Sequence, residues 1–337
     1  MAASVGANTA VVERAGVSGA TAVLPRVSRL DPPPRNLIEF SRRFASEKAC
    51  EEYLFIVRYP TGFICPKCGN ERGWLLQGKR LIECPNGHKI SLTSGTVMHR
   101  TKQELVTWFH AAYLMTTLTP GFSALQFQRQ MGLSRYETAF NMLHKFRAAL
   151  VVPGREPLHG EVEIDEAYVG GVEEGRPGRG GETKALVVCA VELVRWTDKK
   201  SRRERVRTGR VRLRLVPDAS AASLVPFITE SVKGGAIVHT DGWPSYGTLR
   251  AKGYDHRAVV QGTGKDAQYM PHVHKIFANV KRWLLGTHHG RVTAQHLQAY
   301  LNEYTFRFNR RFWRGPAFHR ALGLIVQTEG HPTPSAP

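Results

Sequence analysis

The sequence predicts an α/β protein with a metal-binding ribbon ahead of its main sheet. Three observations carry that reading. Residues 161 to 171 read as an alternating strand that carries Asp165 and stops at Gly170-Gly171, and a second apolar run, Ala236 to Val238, leads to Asp241. Apolar residues at helical intervals separate and follow those runs, which is the mixed order of strands and helices that an α/β sheet requires. Ahead of them stand Cys65, Cys68 and Cys84, spaced as paired knuckles.

Composition bounds the function. The chain has 337 residues and a formal charge of +19, from 47 basic and 28 acidic side chains, which favours a polyanionic partner and first of all nucleic acid. An apolar content of 42% excludes chain-wide disorder. Five cysteines, three of them clustered, are not a disulfide framework in a chain of this length, so a reducing, cytoplasmic location is expected. Glu13 and Arg14 interrupt the Ala- and Val-rich start, no secretory signal follows, and no apolar run reaches membrane-spanning length.

Residues 1–36 read as a mobile leader ending in Asp31 and three prolines. Residues 37–98 read as a helix followed by the ribbon. Cys65-Pro66-Lys67-Cys68 forms one knuckle; fifteen residues later Cys84-Pro85-Asn86-Gly87-His88 forms an irregular second one, so Cys65, Cys68, Cys84 and His88 are the candidate ligands of one structural Zn2+. The alternative is a metal-free ribbon packed around Phe63, Ile64, Trp74, Leu81 and Ile90.

Residues 99–152 carry a helical pattern. Met131-Gly132-Leu133 separates two helices and Ser134 caps the second, which reads either as a helix-turn-helix presenting Arg135, Tyr136, Thr138 and Asn141 to DNA or as a small connecting bundle. Residues 158–325 read as the catalytic domain. In its first strand Val162 and Ile164 alternate with Glu161, Glu163 and Asp165, so the carboxylates share one face. A glycine-rich loop over residues 172–182 brings Arg176 and Arg179 beside the site for phosphate contact. Between Arg195 and Arg214 the local net charge is +8, and Arg212 and Arg214 alternate with apolar residues as a basic stripe. A helix near residues 219–232 and a strand ending at Asp241 come next. Later, a helical stretch offers Asn279 and Lys281, which point to different sides because they lie two apart. His272, His274, His288 and His289 lack the spacing of two ligand pairs and read as DNA-facing or core residues. Arg310 lies in an arginine-rich aromatic stretch suited to phosphate, and residues 326–337 read as a flexible tail.

In order along the chain, CPKCG, SLTSGTVMHRTKQELVTWFHAAYLM, EVEIDEAYVGG, HTDGWPSY, HKIFANVKRWLLGTHHG and HLQAYLNEYTFRFNRR resemble the zinc-ribbon insertion-sequence transposases of the DDE type, a family related to the Merlin elements. The resemblance spans residues 65 to 311. It implies a ribonuclease H-like α/β catalytic domain behind the ribbon and helical module, and metal-dependent cleavage and strand transfer at terminal inverted repeats. Matched residue by residue, it implies Asp165, Asp241, Asn279 and Lys281 as the catalytic set, with Asp165, Asp241 and Asn279 holding two Mg2+ or Mn2+ ions. It also implies DNA ends and target DNA as partners and a dimeric or higher synaptic assembly. The family ribbon usually closes with a second Cys-x-x-Cys, which Gly87 interrupts. The competing reading is a zinc-ribbon DNA-binding regulator descended from such an enzyme and no longer catalytic.

Overall fold

A computed structural model describes residues 22–23, 32–151, 154–170, 184–259, 270–289 and 292–328. Arg176, Arg179, most of the expected leader and the expected tail from residue 329 lie outside the described residues.

The first element among the described residues is β1 (Ala22–Val23), which adds antiparallel to the edge of the ribbon. Two helices come next, α1 (Leu37–Arg43) and α2 (Glu47–Arg58), each capped at its N-terminus by a side chain that accepts a main-chain N–H, Asn36 and Ser46. The ribbon strands β2 (Trp74–Leu76), β3 (Leu81–Glu83) and β4 (Lys89–Ser91) pair antiparallel in sequence order. Two carboxylates on α2 tie it to the ribbon and to the helix beyond. Glu51 accepts the N–H groups of Gly78 and Arg80 at the turn between β2 and β3. Glu47 accepts the N–H of Leu105 at 2.8 Å and so caps α3 (Leu105–Thr117), whose own N-cap residue supplies no side-chain bond.

Next come α4 (Ala124–Met131) and α5 (Tyr136–Ala149), with Gly132 between them in the left-handed conformation at φ 63°. The expected helix pair is therefore present, but α5 is not an open recognition helix. Ala139, Phe140, Met142, Leu143, Phe146 and Ala149 are buried in one core with α2, α3 and the ribbon, and along α5 only Glu137 and Ala148 are exposed, with Arg135 just ahead of it.

The main sheet has five strands in the order β7-β6-β5-β8-β9. They are β5 (Glu161–Gly170), β6 (Lys184–Thr197), β7 (Glu204–Val216), β8 (Ile237–Thr240) and β9 (Asp255–Ala258). The three long strands run antiparallel as consecutive hairpins; β8 and β9 lie parallel to β5 because α6 (Ala221–Ser231) provides the crossover. The period-two alternation of β5 holds: Val162 and Ile164 face α6, whereas Val169 faces α7 (Pro271–His288) and α8 (Ala294–Asn309). The predicted α/β class is thus observed, with both faces of the sheet covered.

Strand β7 is a sheet edge, and α8 closes it with side-chain amides. Asn309 accepts the N–H of Val211 at 2.8 Å and donates to the Val211 carbonyl at 3.1 Å; Gln298 accepts the N–H of Leu215 at 2.8 Å. Carboxamides thus imitate the missing neighbouring strand and protect the edge from intermolecular pairing.

The last helix, α9 (Arg314–Gln327), does not join the sheet. Phe318, Leu322 and Ile325 enter the first core beside α2 and α3, and the Ile325 carbonyl accepts the N–H of Val97 at 3.1 Å. Residues 314–325, expected to complete the catalytic domain, pack in the N-terminal module instead, and no spacing in the sequence announces that return.

A buried polar layer joins the two cores. Arg147 on α5 donates through Nε to Glu303 on α8 at 2.8 Å, with both side chains 1% exposed. His144, beside them, stacks on Phe140 and faces His296, Tyr300 and Arg147. Burial first, then the positive field of Arg147 and the neighbouring imidazoles of His296 and His288, pushes His144 down to about 3. A folded pKa below the unfolded value contributes stability that is complete above about pH 6.5 and is lost as pH falls toward 3. His144 alone accounts for a loss of about 2 kcal/mol between pH 7.5 and pH 5. Urea denaturation at the two pH values is expected to show it, and His144→Phe to remove that share; equal acid sensitivity in the variant would contradict the assignment.

Candidate active site and metal centre

The ribbon brings its four expected ligands together. Ligand atoms of Cys65, Cys68, Cys84 and His88 all lie within 4.8 Å of one another, and no other group of three or more His, Cys, Asp or Glu residues does so among the described residues. The separations are 3.8 Å from Cys65 Sγ to His88 Nδ1, 3.8 Å from Cys68 Sγ to Cys84 Sγ, and 3.6 Å from Cys84 Sγ to His88 Nδ1. A tetrahedral zinc with ordinary Zn–S and Zn–N bonds needs edges of roughly 3.6 to 3.8 Å, so the donor set fits the metal. Burial opposes ionisation of Cys65, yet amide donors from Lys67 and Cys68 hold its thiol down at about 6.

The irregular second knuckle has a backbone cause. The first knuckle turns on Gly69 at φ 70°, one residue past Cys68, whereas the second turns on Gly87 at φ 73°, in the place where a cysteine would stand. His88 takes over the role, since its longer side chain reaches back across the extra residue.

The main sheet carries two aspartates on neighbouring strands, Asp165 midway along β5 and Asp241 one residue past the end of β8. Glu163 lies opposite His239 in the last pair of the parallel β5–β8 ladder, so Asp165 and Asp241 each follow that pair by two residues, and both carboxylates act on the Tyr246 hydroxyl. Asp165 Oδ1 accepts the N–H of Glu166 at 2.9 Å, and Asp241 Oδ1 accepts that of Trp243 at 3.1 Å, which fixes the turn after β8. Neighbouring Glu166 points to the other face and accepts a hydrogen bond from the Tyr246 hydroxyl. Burial, then the carboxylates of Glu166, Asp165 and Asp241, pushes that hydroxyl far above its ordinary range, so Tyr246 remains a neutral donor.

Helix α7 supplies the third side of the site. It starts at Pro271 with no cap of its own, and the buried Glu163 accepts the N–H groups of His272 at 2.9 Å and Val273 at 2.8 Å. Burial pushes the Glu163 carboxyl up to about 6, against those two amide donors. The cap fixes the rotation of α7 over the sheet, and that rotation puts His274 Nε2 3.7 Å from Asp165 Oδ2. Lys281 lies seven residues, or about two turns, further along the same exposed face.

Asn279, expected among the metal ligands, is not on this face. It lies about 140° around the helix from His274, bonds the Tyr304 hydroxyl on α8 and lines a cavity of about 550 Å3 with Trp283, Tyr304 and Phe308. The structure thus turns His274 toward Asp165, leaves Lys281 two turns further along the exposed face and directs Asn279 to another side of the helix, because Ile276 and Val280 face the core.

Comparison with known proteins bears on the same residues. A family model described as an ISXO2-like transposase domain matches residues 157–309, and a transposase zinc-ribbon domain matches residues 45–86. An uncharacterized transposase-like protein of Haemophilus influenzae is 30% identical over 97 residues, 28% of this chain and 77% of that protein. The chain belongs to the zinc-ribbon insertion-sequence transposases. An uncharacterized protein in transposable element ISH50 of Halobacterium salinarum is 27% identical over 300 residues, 85% of this transposase and 98% of that protein.

The transposase arranges its basic residues differently from the expected stripe. Arg212 is 5% exposed and donates to the carbonyls of Val211 and Glu156. Arg214 pairs with Glu230 and lies over the Phe227 ring, and Arg310 packs 4.0 Å from the Phe306 ring centre. Three of the arginines expected at the DNA surface are therefore partly or wholly enclosed. The open part of the basic run is the tip of the β6–β7 hairpin, where Lys199, Lys200, Arg202, Arg203, Arg205 and Arg207 are exposed. In the helical module Arg135 is exposed, Tyr136 is half-buried against Phe140, and Asn141 Oδ1 is buried without a hydrogen-bond partner.

His274, Glu163 as the cap of α7, and the Glu166–Tyr246 pair are the contributions that the sequence did not announce. One signal was available for His274: it stands one heptad before Lys281, a spacing that puts both on one helix face. No helix among the described residues is long and apolar enough to cross a membrane.

Proposed function

We propose that this transposase binds the terminal inverted repeats of its own element, cuts to expose 3′-hydroxyl ends and joins them to target DNA, with Asp165, Asp241 and His274 as the metal-binding set. The observation that carries the reading is the β5–β8 register, which leads Asp165 and Asp241 off one paired position on neighbouring strands, with an imidazole 3.7 Å from Asp165. The sheet order, three antiparallel strands with two parallel additions, supports a ribonuclease H-like catalytic domain.

In-line displacement at phosphorus needs an activated hydroxyl on one side and a stabilised leaving oxygen on the other, which two Mg2+ or Mn2+ ions supply when bound. Two carboxylates and a neutral imidazole suit such ions, and the nitrogen donor favours Mn2+ more than an all-oxygen set does. Asp165 is central to the set, since it neighbours both Asp241 and His274. The protein contributes two negative charges from these ligands, and Glu166, held by Tyr246, adds a third nearby. Lys281, about 10 Å along α7, is placed to hold a substrate phosphate rather than to touch the reacting atoms. The hairpin tip and Arg135 offer backbone contacts, and the ribbon, with one Zn2+, helps to bind the ends. Synapsis of two ends requires a dimer or higher assembly, and a cytoplasmic site of action on the nucleoid follows from a DNA substrate.

The test is to incubate the purified protein with DNA carrying the element's ends and Mg2+ or Mn2+, beside Asp241→Ala, and map the products. Cuts at the repeat boundary with joined products, lost in the variant, are expected; binding with no metal-dependent cutting would overturn the reading. For the ribbon, elemental analysis of the wild type is expected to find one zinc per chain, and Cys65→Ser to lose most of it together with end binding. Unchanged zinc content in the variant would remove Cys65 from the ligand set.

A further inference from the structure

A cleft lies away from the aspartates, where α5 ends, β7 begins its buried half and α8 crosses it. It is a cavity of about 270 Å3 whose lining includes Arg155, Arg210, Arg212 and Arg310. Nearby carboxylates do not balance these cations. Glu156 and Glu192 both bind Arg210, and Glu230 binds Arg214. Arg212 keeps only main-chain acceptors, Arg310 has a carbonyl and the Phe306 ring, and Arg155, with no hydrogen bond among the described residues, feels Glu230 only through its field, against burial and the field of Arg214. Burial first, then the fields of Arg155 and Arg210, pushes Arg212 down to about 10, with Arg310 adding to the effect and Glu192 easing it. Burial likewise holds Arg310 down at about 10. Clustered cations in a desolvated cleft raise the energy of the empty protein and lower it again when an anion enters.

A neutral group in the same cavity points to a ligand independently. Thr305 is 5% exposed, and its Oγ1 is buried with no hydrogen-bond partner. A buried hydroxyl without a partner costs about 1 to 3 kcal/mol, so natural structures rarely leave one in place without a use. Asn302 also lines the cavity; its Oδ1 accepts from Gln298, which directs its amide N–H groups elsewhere.

We propose that this cavity is a phosphate-binding pocket, in which Arg155, Arg212 and Arg310 hold the oxyanion and Thr305 and Asn302 donate to its remaining oxygens. Guanidinium groups from three segments of the chain suit a multiply charged tetrahedral acceptor better than a planar carboxylate. The volume falls below the usual range for drug-sized ligands, so a phosphate group enters rather than a whole nucleotide. The source is either a backbone phosphate of DNA or free phosphate. The DNA source rests on the transposase reading; there the pocket would couple the helical module to the catalytic sheet, because α5 and β7 line it together.

Thermal unfolding of the full-length protein in inorganic phosphate, against chloride and acetate at equal ionic strength, tests the pocket without cleavage chemistry. Phosphate is expected to raise the Tm above both controls. Arg155→Gln, which removes a partly exposed cation, and Thr305→Val, which keeps side-chain shape, are expected to weaken phosphate binding by about tenfold. Arg155→Gln is also expected to raise the Tm of the phosphate-free protein, since it relieves repulsion, an effect that a purely structural arginine would not produce. Binding to duplex DNA as a function of salt then separates the sources. A salt slope reduced by about one in Arg155→Gln identifies a DNA phosphate, and an unchanged slope with lost phosphate response identifies free phosphate. The proposal is overturned if phosphate stabilises no more than chloride, or if both variants respond to phosphate like the wild type. Failure of end cleavage would leave this result untouched.

Discussion

His274→Ala is expected to lower end cleavage at least about a thousandfold, equivalent to about 4 kcal/mol of transition-state stabilisation, while Asn279→Ala lowers it by less than about tenfold. The difference follows from helix phase. His274 Nε2 stands 3.7 Å from Asp165 Oδ2 on the open face of α7, whereas Asn279 bonds Tyr304 on the covered side. Removal of a metal ligand affects both activation of the attacking hydroxyl and stabilisation of the leaving oxygen, whereas loss of the Asn279 bond leaves one buried tyrosine without a partner. Cleavage rates at saturating DNA, measured over a Mn2+ titration, check both variants. Partial recovery of His274→Ala at high Mn2+ would agree with a weakened ion site. Equal rates for His274→Ala and wild type, or a collapse in Asn279→Ala with normal folding, would return the third position to Asn279.

Glu303→Ala is expected to destabilise the protein by about 3 to 5 kcal/mol, a large share of the stability of an ordinary domain. Arg147 and Glu303 are each 1% exposed, and Glu303 also pairs with Arg307, which donates to the carbonyls of Leu118 and Thr119. Loss of the carboxylate leaves Arg147 charged and buried, with its two terminal nitrogens already without hydrogen-bond partners. The pair also links α5 to α8, so the variant is expected to loosen the helical module from the sheet as well as to lower the denaturation midpoint. The double variant Arg147→Met, Glu303→Leu is expected to regain most of the loss, because two apolar side chains remove the unpaired charge and fill the space. A change of less than about 1 kcal/mol in Glu303→Ala would show that water reaches the pair.

Much of the site was legible because its signals are local. A strand repeats every two residues, so the sequence around Val162 and Ile164 already assigns Glu163 and Asp165 to one face, and the register of β5 with β8 then leads Asp241 off the same paired position on the neighbouring strand. The ribbon was legible for the same reason: knuckle spacing is a property of a few adjacent residues, and Gly87 marked the one irregularity that made His88 a ligand candidate. The third residue of the site was not legible from pattern. A helix offers several polar faces, and which one looks at the aspartates depends on how the helix is rotated over the sheet. Here the Glu163 cap and the packing of Ile276 and Val280 decide it. The four histidines lacked paired spacing, yet a site shared with two strand carboxylates needs only one of them.

The basic residues teach the same distinction. Alternation correctly put Arg212 and Arg214 on one side of β7 and the apolar residues on the other, but it carried no information about what covers each side. Glu156, Glu230 and Phe227, brought there by other segments, enclose that side, and the exposed arginines are those at the hairpin tip. Likewise the break at Gly132, the C-cap of α4, was local and legible, but Ser134, expected to cap the second helix, does not: Arg135 is the N-cap residue of α5 and no side chain caps it, while α8 and α9, more than a hundred residues later, cover the face that was expected to read DNA. By itself the sequence pointed to most of the secondary elements, to the four ribbon residues that cluster and to the two aspartates, since each rests on short-range geometry. Only the tertiary structure decided that His274 rather than Asn279 faces Asp165 and which arginines are exposed, because helix rotation and the covering of a face are set by contacts between residues far apart in the chain.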